Sequence, residues 1–234
     1  MKQFLGLLIF HSFLFCQQNL IFDQFLREYK FKIFLSKKEV GFINIKISSF
    51  TSQNSSDNTS TLPYFFAEIE SYTDIPILFF IGGTYNYETE VYDENFVPLS
   101  SKIETKEKDN KFVTMMNTEL IEGQKYKCKI RKEKKKVKLK ELNFSSPILT
   151  AGNAIPLVSL LWDFEKEKFK KFYFIDKDGL EIREVKLEFL GKTKDGFYKI
   201  KIFIPYIMTK FIVFLDGQKN IKFAEGMGLE IYSE

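Results

Sequence analysis

The sequence predicts an all-β, mainly antiparallel protein: a strongly curved sheet or open barrel of about 10–12 strands, with one short helix packed against it. Three observations carry this expectation. Apolar and polar residues alternate with a period of two along most of the chain. Turn-forming pairs interrupt the alternation at short intervals. One stretch alone switches to helical spacing.

The first segment, "MKQFLGLLIFHSFLFCQQ", sets Lys2 before an apolar run from Phe4 to Phe15. That run has the length of a secretory h-region and is too short to span a bilayer. Residues 1–16 are expected to be a signal peptide, and residues 17–234 a single β-rich domain exported to the periplasm. Lipoprotein anchoring at Cys16 wants a small residue just before it, and Phe15 stands there. The only histidine, His11, falls within the signal. Histidine triads, imidazole bases and most zinc sites are thereby removed from the mature chain. Cys128 is then the one cysteine left, so no intramolecular disulfide forms.

Along the mature chain Phe31, Ile33 and Leu35 alternate with Lys30 and Lys32, and Ile43, Ile45 and Ile47 with Asn44 and Lys46. Tyr85, Tyr87 and Val91 alternate with Asn86, Glu88 and Glu90, which puts the two carboxylates on the polar face. Val185, Leu187 and Phe189 form a further run, as do Tyr198, Ile200 and Ile202. Opposite faces in turn mean one wet and one dry side of a sheet. Turns are expected at Ser36–Lys38, Asp93–Asn95, Asp109–Asn110, Glu122–Gly123, Asp178–Gly179, Asp195–Gly196 and Asp216–Gly217. Asp-Gly between alternating runs marks a hairpin, because type I′ turns need positive φ. The polar tract Thr51–Thr61 reads as a hairpin loop. "TAGNAIPLVSLLWDF" places Pro156 where a helix begins and repeats apolar residues at helical spacing, so a lid or plug helix is expected over Pro156–Trp162.

The strongest charge feature is the run Lys125–Lys140, with ten basic residues in sixteen. As a hairpin it turns Tyr126, Cys128, Ile130, Val137 and Leu139 inward. Lys127, Lys129, Lys138 and Lys140 then point outward as a candidate contact for anionic headgroups or a partner. No aromatics interleave with them for base stacking, and the net charge is only +4, so nucleic acid is excluded as a partner. "DKDG" at Asp176–Gly179 lacks the later calcium ligands, with Leu180 and Glu181 in their place, and reads as a hairpin turn. Glu88 with Glu90, and Asp163 with Glu165, are the carboxylate pairs a hydrolase would use. No phosphate-loop, dinucleotide, metalloprotease or nucleophile-elbow pattern occurs, and no cofactor or metal is expected.

The chain holds 27 Phe and 11 Tyr, and "IPILFFIGGTYNYETEVY" and "IPYIMTKFIVFLDG" are apolar on both strand faces. Either the helix covers the second face or the sheet curls around an apolar cavity. Phe79, Phe80, Tyr85 and Trp162 are the candidate lining for an apolar ligand such as a lipid tail. Lysine-bearing outward faces argue against a transmembrane barrel.

"FKIFLSKKEVGFINIKI", with its step Glu39–Val40–Gly41, resembles the opening hairpin of a family of exported bacterial proteins catalogued only as a domain of unknown function. "YNYETEVYDENFVPLSSKIE", with Leu99–Ser100–Ser101, resembles its next landmark, and "AIPLVSLLWDF" its short apolar helix. "FLGKTKDGFYKIKIFIP" and "KFIVFLDGQKNIKFAEGMGLEIY" resemble its final meander. The resemblance implies a curved β-sheet outside the cytoplasm, akin in shape to lipoprotein-carrier half-barrels that hold acyl chains. It implies no catalytic residues. The expected function is that of a non-enzymatic envelope protein holding an apolar ligand in its concave face. The alternatives are a module pairing with an envelope partner through exposed strands, and a carboxylate-dependent hydrolase.

Overall fold

A computed structural model of the protein describes residues 24–51, 63–74, 83–107, 112–122, 125–132, 137–143, 148–176 and 180–234. The expected signal peptide and nearly all of the expected polar loop lie outside them. The first run of strands is β1 (Glu28–Leu35), β2 (Lys38–Thr51), β3 (Pro63–Thr73), β4 (Thr84–Tyr92), β5 (Pro98–Glu107), β6 (Phe112–Glu122), β7 (Lys125–Lys132) and β8 (Lys138–Asn143). The short β9 (Ile148–Leu149) and helix α1 (Ala154–Leu161) follow. The second run is β10 (Phe169–Asp176), β11 (Glu181–Lys192), β12 (Tyr198–Ile204), β13 (Thr209–Leu215), β14 (Ile221–Gly226) and β15 (Leu229–Ser233).

Among the described residues these fifteen strands form one sheet in the order β8 to β1, then β15 to β9. Two antiparallel meanders are zipped together where β1 pairs with β15, and among the described residues the only parallel pairing is β9 with β10. The count exceeds the expected 10–12; the two-residue β9, for one, is too short to show alternation. The sheet is not closed by hydrogen bonds, but its ends meet through side chains. Ile103, Tyr126, Cys128 and Leu142 from one end pack with Ile148, Leu180, Tyr173 and Ile182 from the other.

Local chemistry explains how the strands are joined. Ser36 (φ 50°) and Lys37 (φ 70°) make the β1–β2 turn without the glycine such a turn favours. The Glu39–Val40–Gly41 step is a bulge: register slips between Ile33 and Phe34, and Val40 turns into a small cluster with Ile33 and Leu229. A side chain at Gly41 would lie 2.1 Å from the Tyr72 carbonyl oxygen, so no other residue fits there. Three loops share one design. Asp93, Thr193 and Asp216 each accept backbone N–H bonds through the side chain, and Phe96, Gly196 and Lys219 supply the positive φ three residues on. At Asp216–Gly217 the left-handed residue is therefore Lys219, not the glycine.

Helix α1 lies inside the curl and belongs to both halves of the core. Leu157 packs with Phe25, Phe31, Ile45, Phe65 and Phe96, whereas Val158 packs toward Trp162, Phe164, Val185 and Ile200. It begins two residues before Pro156, whose missing N–H falls in the first turn, where it needs no helical partner. The outer face of β13 carries a ladder of rings. Phe214 stacks on Phe223 (4.0 Å), which meets Tyr232 (6.0 Å) and then Phe34 (5.7 Å). The Lys199 ammonium lies 5.5 Å from the Phe214 ring at the far end of this ladder.

Candidate functional site

Two regions concentrate the chemistry of the molecule: a buried polar joint between β4 and the turn before α1, and the open edge at β8. At the joint, β4 faces opposite to the sequence expectation. Glu88 (7% exposed) and Glu90 (0%) point into the core with Tyr92 (0%), whereas Tyr85 and Tyr87 face outward. Both faces of β4 mix polar and aromatic residues, so periodicity alone cannot say which is dry.

Glu90 Oε2 collects three donors. Thr150 Oγ1 (2.9 Å) and the Gly152 N–H (2.9 Å) donate to it, as does the Tyr92 hydroxyl. Position 152 must be glycine, because a Cβ there would sit 2.5 Å from the Tyr92 hydroxyl and 2.6 Å from both Ala67 and Glu90. Asn153, fully buried, accepts from the Thr150 N–H (2.7 Å) and donates to the carbonyls of Phe96 (2.9 Å) and Ile148 (3.0 Å). It thereby ties the turn to the β4–β5 loop and to β9. Burial and the neighbouring Glu88 hold the Glu90 carboxyl well above the usual carboxylate range. Burial beside Glu90 likewise raises Tyr92. A hydrolytic carboxylate has to touch a substrate, and Glu90 is sealed from the surface. The other pair is exposed and salt-bridged, Asp163 with Lys166 (2.9 Å) and Glu165 with Lys192 (3.3 Å).

At the edge, β7 buries Tyr126 and Cys128 as expected. The Tyr126 hydroxyl donates to the Pro98 carbonyl (2.5 Å). Burial pushes the Cys128 thiol up, the behaviour of a structural cysteine. The β8 register corrects the sequence reading. Lys140 pairs with Cys128 and Lys138 with Ile130, so these two lysines stand on the inner face. Lys127 and Lys129 share the outer face with Leu139, which is 63% exposed; Val137 is also exposed. A one-residue shift in the turn moves every side chain of a strand to the other face. The four lysines therefore flank an edge from both sides instead of forming one flat patch. Lys127 lies across from Glu119 on one side and Glu141 on the other, whereas among the described residues Lys129 and Arg131 have no acid across the ladder.

The proposed apolar lining is not one set of residues. Phe79 and Phe80 lie outside the described residues. Tyr85 is on the outer face opposite Tyr72, and burial with a hydrogen bond to Glu70 raises it to about 12. Trp162 is fully buried at the end of α1 and donates its indole N–H to the Glu167 carbonyl (2.6 Å). Of the chemistry at the joint, the sequence offered only the shared face of Glu88 and Glu90; Thr150, Gly152 and Asn153 read as a helix approach.

No family model and no curated protein matches the chain. Among solved structures it is similar to a beta-barrel-like protein of domain of unknown function DUF1849 from Brucella abortus. The TM-score is 0.47 at 12% identity, over 88% of this chain and 94% of that one. Among the described residues no helix is long and apolar enough to cross a membrane, and no cluster of three or more metal-binding side chains occurs.

Proposed function

We propose that the protein is an exported, non-enzymatic envelope component that works as a binding module, adding an extended acidic segment of a partner protein to the edge of its sheet at β8. One observation carries this reading: among the described residues the curled sheet ends in a strand with a single neighbour, β7, and basic side chains flank that edge on both faces. An edge strand offers unpaired N–H and C=O groups to an incoming chain. Side chains of an added strand would alternate between Lys138 and Lys140 inside and Lys129 and Arg131 outside, with exposed Leu139 between them. Acidic residues on both faces satisfy that pattern, whereas a flat anionic membrane meets one face only. Export is supported by the leader-like residues 1–16.

The test is titration of an eight-residue peptide, Glu-Glu-Val-Val-Glu-Glu-Val-Val, which sets acids on both faces of a strand, with anionic vesicles as a parallel arm. The peptide is expected to bind at low salt and to weaken as salt rises. Lys138→Glu with Lys140→Glu is expected to abolish binding. Failure of the peptide to bind, or binding untouched by the charge reversal, overturns the proposal; so does binding to vesicles alone.

A lipid tail or other apolar ligand is the second reading, in keeping with the resemblance to acyl-holding half-barrels. The apolar clusters around α1 favour it, since they would line a cavity if the helix moved out. Native mass spectrometry of the purified protein decides: a co-purified lipid supports it, and a bare protein mass removes it.

A further inference from the structure

The neighbouring strands β2, β1, β15, β14, β13 and β12 bring three of their connecting turns side by side at one end of the curled sheet, at residues 36–37, 227–228 and 205–208. The turns touch. A side chain at Gly226 would lie 2.5 Å from the Lys210 carbonyl oxygen, the Thr209 hydroxyl lies 3.5 Å from the Met227 sulfur, and Gly228 sits beside Leu35. Met208 is 77% exposed and Met227 63%, and the exposed Tyr206 ring packs under the Arg183 guanidinium at 4.8 Å.

Folding does not account for the two methionines. Met208 closes its turn at φ 52°, and Met227 opens a two-residue hairpin loop at φ 56°, with Gly228 at φ 78°. Both positions favour glycine or asparagine, because a left-handed backbone is costly for a residue with a larger side chain. Among the described residues neither methionine joins an apolar cluster that would offset the strain. Two touching turns therefore hold large apolar side chains out in water where a smaller polar residue would fold better. The charge around them has one sign. Within 35–38, 205–210 and 227–228 the charged residues are Lys37, Lys38 and Lys210, all exposed, and no acid occurs. The nearest acids along the chain are Glu39, bridged to Lys32 (3.7 Å), and the pair Glu225 and Glu230 below the 227–228 turn, where Glu230 accepts from the Tyr232 hydroxyl (3.1 Å).

We propose that these three turns form a docking face for an anionic lipid bilayer, with Met208, Met227 and Tyr206 entering the interfacial layer and Lys37, Lys38 and Lys210 reaching the headgroup phosphates. Unbranched methionine adapts to a fluid apolar medium, and tyrosine suits the interface because its ring is apolar and its hydroxyl stays wet. Lysine stems lie along apolar surface while the ammonium remains among the phosphates. A fluid anionic surface supplies both the apolar layer and the dense phosphates that this pattern matches.

The test is co-sedimentation of the purified protein with vesicles of equal parts phosphatidylcholine and phosphatidylglycerol, beside vesicles of phosphatidylcholine alone. Wild type is expected to bind the anionic vesicles more tightly and to weaken as salt rises. Met208→Asn with Met227→Asn suits the left-handed backbone, so its urea midpoint is expected to match or exceed that of wild type while vesicle affinity falls at least about tenfold. Lys37→Gln with Lys38→Gln is expected to lose about fivefold per lysine on anionic vesicles and nothing on neutral ones. Hydrogen exchange of wild type gives a reading that needs no variant. Amides of 206–210 and 226–229 gain protection on anionic vesicles, and those of the turns at the opposite end, 193–197 and 216–220, do not. No binding of wild type to anionic vesicles, equal binding to neutral ones, or binding unchanged in the methionine variant overturns the proposal. So does a dimer, formed without vesicle binding and broken by the same variant, which gives the face to a second copy.

Discussion

Phe96 holds a left-handed backbone (φ 57°), a conformation that costs a non-glycine residue about 1–2 kcal/mol. Its fully buried ring stacks on Phe65 at 4.2 Å and meets Phe25 at 5.9 Å, and burying such a side chain contributes about 1.5–3 kcal/mol. Packing outweighs backbone strain there, so Phe96→Gly is expected to lower the urea midpoint although it relieves the strain. At Ser36–Lys37 both side chains are exposed, and no buried ring offsets the left-handed turn. Replacing the pair with Asn-Gly is expected to stabilise by about 1–2 kcal/mol, read as a higher midpoint with an unchanged slope. Residue chemistry was legible where a side chain caps its own loop, as at Asp93 and Asp216. It was not legible at Gly152, whose requirement for hydrogen comes from Ala67 and Tyr92, distant in sequence.

Elements were legible where one face is uniformly apolar. Phe31 and Ile33 in β1, Ile45 and Ile47 in β2, and Val185 and Leu187 in β11 all point inward as their alternation says. Alternation does not reveal the inner face of β4 or β8 for one shared reason: both strands carry large apolar and charged groups, and the rest of the molecule decides which face is buried. What seats Glu90 inside is the 150–153 turn, which brings it two donors, Thr150 and Gly152, from about 60 residues away in sequence. The helix itself was legible from its spacing, and its anchoring by Asn153 was not. Asn153→Ala removes three buried hydrogen bonds and leaves the Phe96 and Ile148 carbonyls short of donors. It is expected to cost about 2–4 kcal/mol, with Trp162 emission shifting red before the rest of the sheet unfolds.

At the scale of the molecule, a fifteen-stranded sheet curls around its own helix and yet remains unsealed. A fully closed barrel has no edge to offer, and among the described residues β8 keeps a single neighbour. The curved all-β architecture was legible in period-two alternation and turn spacing. The filled interior was not, because the sequence does not show that α1 packs against both halves at once. Wild type and Lys138→Glu/Lys140→Glu are expected to unfold within about 0.5 kcal/mol of each other, since both side chains are exposed. A loss of acidic-peptide binding would then report on recognition instead of folding. Hydrogen exchange of the backbone amides of 138–143, with and without the Glu-Glu-Val-Val-Glu-Glu-Val-Val peptide, tests the edge most directly. Strand addition predicts that amides of β8 gain protection while those of β10 do not, and that the charge-reversed protein gains none. Unchanged exchange at β8 under saturating peptide would contradict it.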